Sequence, residues 1–579
     1  YSIRMERQRP DTSSNALDLY VRTYYSLLRS SGEVRVRSFE EAHLFSDSSL
    51  HEGGRDERVD IGAFGYAAGR MPECLPDVEN ILLGQSEEVF RAGGYDVRSW
   101  KRTYARGRRR PYRYDGERRL AAFIASASDI DDIVPIVTAY QIEWNKMHAF
   151  LDGSSVLDAL EDDGTPLSDV QTGLSAALQI DEHAVERLIE AFGPSYRTAI
   201  AKVGRRRLDL RVRLLAGSFS DYQRAAQRWW RSLEPVYLEG RQPAEVEPAP
   251  VYFVSSNTHA LVNVVGGYAA AHRDVLMESA RAENPGEVWS ELQNADSMHP
   301  DQVNNLLYFA LRHYVRQSES RRSDVQAWDA ACGISTVPDP GHVEVAAQVF
   351  RLADLVPDRV DPRLRLDGLE ELAGSDAKII NIDYPLGMAA YQLLSRVGQG
   401  IGELLGMYVM GKAATLNGRV GDVMISKVVQ DEHSRNTFII RNAFGAEDVA
   451  PYLQFGSVLD NQKALTVRSA FLQNRNYMGV FYREGYTVLE MEAGPYLSAS
   501  YELLDPRRHP NDEIVYLGER AKFDIGILHY ASDTPYSRRQ SLLSKSMGYF
   551  GVDATYACAV AIARSIFANE LERLRARSR

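Results

Sequence analysis

Two apolar runs near the C-terminus constrain the fold most, because each has the length of one buried strand and each stops on acid. The first is Tyr486-Thr487-Val488-Leu489-Glu490-Met491-Glu492-Ala493. The second, further along, is Phe523-Asp524-Ile525-Gly526-Ile527-Leu528-His529-Tyr530-Ala531, closed by Ser532-Asp533. Runs of this length and apolar content read as buried strands. In an open α/β sheet, ligands sit outside the carboxyl ends of the strands. The pattern therefore predicts that these acids meet in one crevice. One acid near a sugar diol and another near a leaving base is what breaking a glycosidic bond requires.

Composition narrows the classes. A chain of 579 residues, 44% hydrophobic and 25% charged, suits a soluble globular protein of roughly two to four domains. The net charge of −12 excludes general polyanion binding, so any basic site has to be local. Cys74, Cys332 and Cys558 are far apart and odd in number. They supply neither a metal-ligand spacing nor a disulfide framework, which fits a reducing cytoplasm. No uninterrupted apolar run reaches the roughly 18–20 residues that span a bilayer. Residues Tyr1–Pro10 lack the apolar core of a secretory signal.

The first 240 residues predict a mainly helical domain. A helix over 15–30 places Leu17, Tyr20, Tyr24, Leu27 and Leu28 on one face. Ser128-Asp129 caps another helix, which follows a strand-like segment at Leu120–Ser126 and carries Glu143 and His148. The run Lys101–Tyr114 is densely basic, with aromatics interleaved around Arg108, Arg109 and Arg110. Such a run is either a phosphate or RNA contact or a solvated loop paired with nearby acids. The proline-rich segment Arg241–Pro250 predicts a linker. After it, residues 251–579 have an α/β rhythm. Val251–Val254 is a strand that enters the polar turn Ser255–His259, and a helical insertion is expected at about 280–370. Further strands follow from Lys378 and Gly406, then a tight turn at Gly411-Lys412-Ala413-Ala414, and the chain closes with a long helix from Asp553.

Three pieces, in order, make the second half resemble the nucleoside phosphorylase/nucleosidase superfamily. Gly411–Val423 is similar to that family's Gly-rich turn running into a Val-Gly-Asp strand. Gly456-Ser457-Val458 followed by Glu490-Met491-Glu492 is similar to its Gly-Thr and Glu-Met-Glu strands. Ser532-Asp533 is similar to the Ser-Asp ending its last core strand. Within the family, the separate N-terminal domain and Ser532-Asp533-Thr534-Pro535 most resemble AMP nucleosidase. The resemblance covers about 375–575 and implies a three-layer α/β domain around a mixed sheet, preceded here by the mainly helical domain.

It further implies cleavage of the N-glycosidic bond of a purine nucleoside or nucleotide, with hydrolysis favoured over phosphorolysis. Asp533 is then the general acid at the base, and Glu492 accepts hydrogen bonds from the ribose hydroxyls. Met491 packs on the sugar, Glu490 faces the crevice beside Glu492, and Ser532 orients Asp533 or binds the base. Gly411 and Lys412 lie at a phosphate or 5′-phosphate position, and His529 is a further ligand contact. No cofactor or metal is implied; inorganic phosphate is a co-substrate only for a phosphorylase. A cytoplasmic homo-oligomer is the expected assembly. A nucleotide sensor without catalysis is the alternative.

Overall fold

From Asn15 to Ala226 the chain alternates amphipathic helices with short strands. The computed structural model describes residues 15–108, 110–162, 164–338, 343–518, 521–534 and 549–579. Tyr1–Pro10, Arg109 and Pro535, named above, lie outside them. Two compact units result, divided between Ala226 and Gln227 within the helix Phe219–Tyr237, ahead of the proline-rich segment. Val467–Phe481, from later in the chain, belongs to the first unit and adds Phe471 and Leu472 to its core.

The helix Asn15–Ser30 buries Leu17, Tyr20, Val21, Tyr24 and Leu28. The helix Ala127–Leu151 starts two residues earlier than Ser128-Asp129 suggests. Ser126 is its cap, and Asp129, three residues on, accepts from the Ser126 N–H at 3.1 Å. Among these helices runs a sheet that the sequence analysis does not foresee. Its strands are β1 (Val34–Arg35), β2 (Asn80–Gly84), β3 (Lys101–Thr103), β4 (Tyr112–Tyr114), β5 (Arg119–Phe123) and β6 (Arg211–Leu214), in the order β1-β6-β2-β5-β4-β3. They are short, and β3 and β4 are rich in basic residues, so no apolar alternation marks them.

The basic run does not form an exposed nucleic-acid surface at Arg108 and Arg110. Arg110 is buried and donates to Asp129 Oδ1 at 2.7 Å and Asp132 Oδ2 at 3.2 Å. Arg108 holds both oxygens of Asp132, at 2.8 and 3.1 Å. These guanidiniums spend their charge on carboxylates of the same unit rather than offering it to phosphate. Of the two readings of this run, a phosphate or RNA contact and pairing with nearby acids, these two residues take the second, though Arg110 does so buried and not in a solvated loop.

The second unit is an α/β fold around a mixed eleven-stranded sheet. Its strands are β7 (Val251–Ser255), β8 (Ile334–Val337), β9 (Ala347–Arg351), β10 (Lys378–Ile382), β11 (Leu404–Thr415), β12 (Val423–Asp431), β13 (Thr437–Ile439), β14 (Val458–Thr466), β15 (Tyr486–Glu490), β16 (Ile514–Tyr516) and β17 (Asp524–Asp533). β17 pairs with both β11 and β12, which closes β11, β15, β14, β12 and β17 into a ring. The segment read as a helical insertion does carry helices, including Pro300–Tyr314. It also supplies β8 and β9, which extend the sheet beyond β10. The C-terminal helix Tyr549–Arg577 is long and apolar enough to cross a membrane by length and composition, yet 83% of its most apolar stretch is buried in the unit.

One expected turn is absent. Gly411–Ala414 continues β11, with Gly411 opposite His529 and Ala413 opposite Ala531 in parallel β17. A Cβ on Gly411 would meet Tyr384 at 3.7 Å and His529 at 3.9 Å, ordinary contact distances, so close packing does not require the glycine. The chain turns later, at Leu416–Asp422. There the buried Asp422 carboxylate accepts from Arg419 N and Ser457 N, each at 2.8 Å.

Candidate active site

β7, β10, β11 and β17 run parallel to one another, so their carboxyl ends share one edge of the sheet. Asp533 ends β17 opposite Ala414 of β11, and Ala414 also faces Leu489 of β15. The two acid-tipped runs thus flank a single strand. Beyond Leu489, Glu490 closes β15 and Glu492 starts the helix Ala493–Leu504. Glu492 Oε1 accepts from Gly387 N at 3.1 Å, in the loop after β10. Tyr496, one turn into the helix, donates to Ser255 Oγ at 2.7 Å at the end of β7. The helix start is thereby laid over the carboxyl ends of β7 and β10. Glu492, Met491 and Asp533 are half-buried there.

Glu490 and Glu492 have different surroundings. Glu490 is 3% exposed. Its Oε2 accepts from Glu492 N and Ala493 N, each at 2.7 Å, and its Oε1 is hydrogen-bonded to the Thr466 hydroxyl. These protein groups occupy both oxygens, so Glu490 does not face the crevice as expected. Burial, and then the charge of Glu492, push its carboxyl up to about 8. His529 Nε2 stands 4.0 Å from Glu490 Oε2, and burial pulls this imidazole down to about 4. Both groups are therefore neutral near pH 7, and their approach is no ion pair.

A polar lining, only partly noticed in the sequence, completes the edge. Ser256 donates to Asn381 Oδ1 at 2.7 Å, and Asn381 donates to Asn257 O at 3.0 Å. Asn257 reaches the Tyr384 hydroxyl at 3.4 Å, and Tyr384 reaches the Tyr530 hydroxyl at the same distance. Burial raises the pKa of both phenols. The polar stretches Ser255–His259 and Asn381–Pro385 right after apolar strands were the available signal. Ser532 donates to Ala413 O at 3.2 Å and lies 3.5 Å from Asp533 Oδ2. Lys412 is exposed, on the strand between buried Gly411 and Ala413. Among the described residues, no group of three or more His, Cys, Asp or Glu is placed to hold a metal ion.

The α/β unit thus gathers carboxylates, hydroxyls and amides at one edge of its sheet, the edge where open α/β sheets take ligands. The chain belongs to the family described as "Family of unknown function (DUF6909)", which matches residues 36–568. No curated protein matches it. Solved structures similar to part of the chain include the 5′-methylthioadenosine nucleosidase of Arabidopsis thaliana in apo form, at 11% identity and TM-score 0.29, covering 56% of this chain and 97% of that one. The 5′-methylthioadenosine/S-adenosylhomocysteine nucleosidase of S. pneumoniae with a transition-state inhibitor is similar at 9% identity and TM-score 0.29, covering 56% and 99%. The uridine phosphorylase of Vibrio fischeri is similar at 7% identity and TM-score 0.27, covering 43% and 88%. Identity and score are low in each case.

Proposed function

We propose that the second unit cleaves the N-glycosidic bond of a purine nucleoside or nucleotide, with water favoured over phosphate as the nucleophile. The observation that carries this is that Asp533 ends β17 on one side of β11 while Glu492 starts the helix just past the end of β15 on the other, both half-buried. N-riboside cleavage passes through a cationic sugar and an anionic base. Glu492 accepts the ribose hydroxyls, and its charge stabilises the sugar more as positive charge grows, which is the differential binding that accelerates a reaction. Asp533 hands a proton to the departing base, a transfer that typically contributes about 10²–10⁴-fold. Met491 packs on the sugar. Lys412 is kept as the group for an anionic substituent or inorganic phosphate. A cytoplasmic homo-oligomer without metal belongs to the same reading.

Incubation with AMP, adenosine, inosine and methylthioadenosine, with and without phosphate, tests it. Free base without phosphate is the expected result, and free base only with phosphate makes the unit a phosphorylase. Binding without any release overturns catalysis in favour of a sensor. Asp533→Asn should lower the rate about 10²–10⁴-fold with binding retained; full activity in that variant removes Asp533 from the mechanism.

A further inference from the structure

Glu490 and Glu492 lie two residues apart; the first is buried with both oxygens held by protein groups, and the second is half-buried with one oxygen on Gly387 N. We propose that Glu490 is a positioning residue: a buried carboxylic acid that locks the first turn of the Ala493–Leu504 helix and so aims Glu492 at the substrate. This rests on the nucleoside-cleaving reading above and adds a division of labour within the acid pair.

The first N–H groups of a helix have no partner within it. Here three consecutive ones are taken by two facing side chains. Glu492 N and Ala493 N donate to Glu490 Oε2 at 2.7 Å, and Gly494 N donates to Thr466 Oγ1 at 2.9 Å. Thr466 and Glu490 are register partners across β14 and β15. The lock is therefore seated on the sheet itself. It also needs the glycine at 494, since a Cβ there would lie 2.6 Å from Asp431 Cβ at the end of β12. Held this way, Glu492 has φ −121° and ψ −24° and sends its carboxylate to Gly387 N.

Charge gives the second reason. Two carboxylates this close do not both ionise cheaply. A neutral Glu490 leaves the charge on Glu492, where a cationic sugar would use it. The groups facing Glu490 agree: Glu492 on the helix adds negative charge, His529 on β17 is buried and neutral, and Thr466 on β14 is a hydroxyl. His529 Nδ1 is buried without a hydrogen-bond partner among the described residues, so that side brings no cation to ionise Glu490.

The test compares Glu490→Gln, Glu490→Ala and Thr466→Val by kcat and KM per folded molecule, with wild-type base release as the control. Glutamine keeps an oxygen for the two N–H groups and is neutral, so Glu490→Gln should hold kcat within about threefold of wild type. Glu490→Ala frees the helix start and should lower kcat about a hundredfold, the size expected for roughly 1 Å of misplacement. Thr466→Val should lower it less, about tenfold. Wild-type activity that falls with ionisation near pH 8 should lose that limb in Glu490→Gln. Unchanged kcat in Glu490→Ala overturns the inference while leaving the proposed reaction intact. A crystal structure reads the same claim without turnover. Glu492 swung away from Gly387 N in Glu490→Ala, or in Thr466→Val if the alanine variant does not fold, supports it. The contact kept at its present distance overturns it.

Discussion

Two regions of this protein place acids where a strand passes into a helix, and they treat the charge in opposite ways. In the first unit, β5 leads into Ala127–Leu151, and Asp129 and Asp132 are met by Arg108 and Arg110. Burial alone would raise Asp132, but the two guanidiniums hold it at about 2. In the second unit, β15 leads into Ala493–Leu504, and Glu490 is met by backbone N–H groups and a hydroxyl. Its carboxyl rises to about 8. The first arrangement keeps its charge at any physiological pH and serves the core. The second titrates near neutrality beside an open-facing acid, which is the condition catalysis needs.

The largest effect should come from breaking the compensated cluster. Arg110→Ala leaves Asp129 and Asp132 short of a buried partner and should destabilise the first unit by about 3–5 kcal/mol. Denaturant unfolding measures it, and a loss under about 1 kcal/mol would show that the arginine is not compensating buried charge. The next effect is steric. Gly456 has φ +96°, and a Cβ there would meet Gly421 O at 2.7 Å, beside the N–H that Ser457 gives to Asp422. Gly456→Ala should cost about 1–3 kcal/mol, with the second unit losing stability and the first unaffected. Equal loss in both units would contradict that assignment.

A third prediction concerns pH. Glu490 is raised from its usual 4.5 to about 8, so its share of the stability is full at low pH and falls as pH climbs from there to about 8. His529 is lowered from 6.5 to about 4, so its share is full above 6.5 and falls as pH drops toward 4. Between about 4.5 and 6.5 the two slopes cancel. Above 6.5 the Glu490 slope stands alone, at about 1.4 kcal/mol per pH unit at most. Across pH 6.5–8 the urea midpoint of wild type should fall while that of Glu490→Gln, whose side chain does not titrate, stays flatter, so the two profiles diverge. Parallel profiles would mean that Glu490 is ionised throughout.

The same contrast explains what the sequence made legible. β7, β10, β15 and β17 are apolar runs that end on polar residues, so the strands and the polar groups at their ends were readable together. β11 was legible only in its first part, from Gly406, because Gly411, Ala413 and Ala414 look like a turn and instead continue the strand beside β17. The separation of Glu490 from Glu492 was also hidden. A strand's alternation puts both on one face, but β15 ends at Glu490, and Glu492 already belongs to the helix start. The Arg110–Asp129 pair joins a basic loop to a helix cap, and neither sequence pattern names the other as partner. Composition and periodicity report burial and element type; they do not report which buried charge finds which counter-charge.

The smallest effect belongs to Arg102, from the same basic run as Arg110. Arg102 pairs with Glu344 at 3.1 Å, close to the 2.7 Å that Arg110 makes to Asp129, yet its side chain is 55% exposed where that of Arg110 is 4% exposed. Water already solvates an exposed pair, so little is gained by joining it and little lost by removing it. Arg102→Ala should therefore change stability by less than about 1 kcal/mol, and added salt should shrink even that. Measuring Arg102→Ala and Arg110→Ala side by side keeps the residue type and varies burial together with the number of carboxylates met. If both cost the same, burial does not set the worth of these pairs, and the acids of the first unit are not distinguished from Glu490 by buried counter-charge.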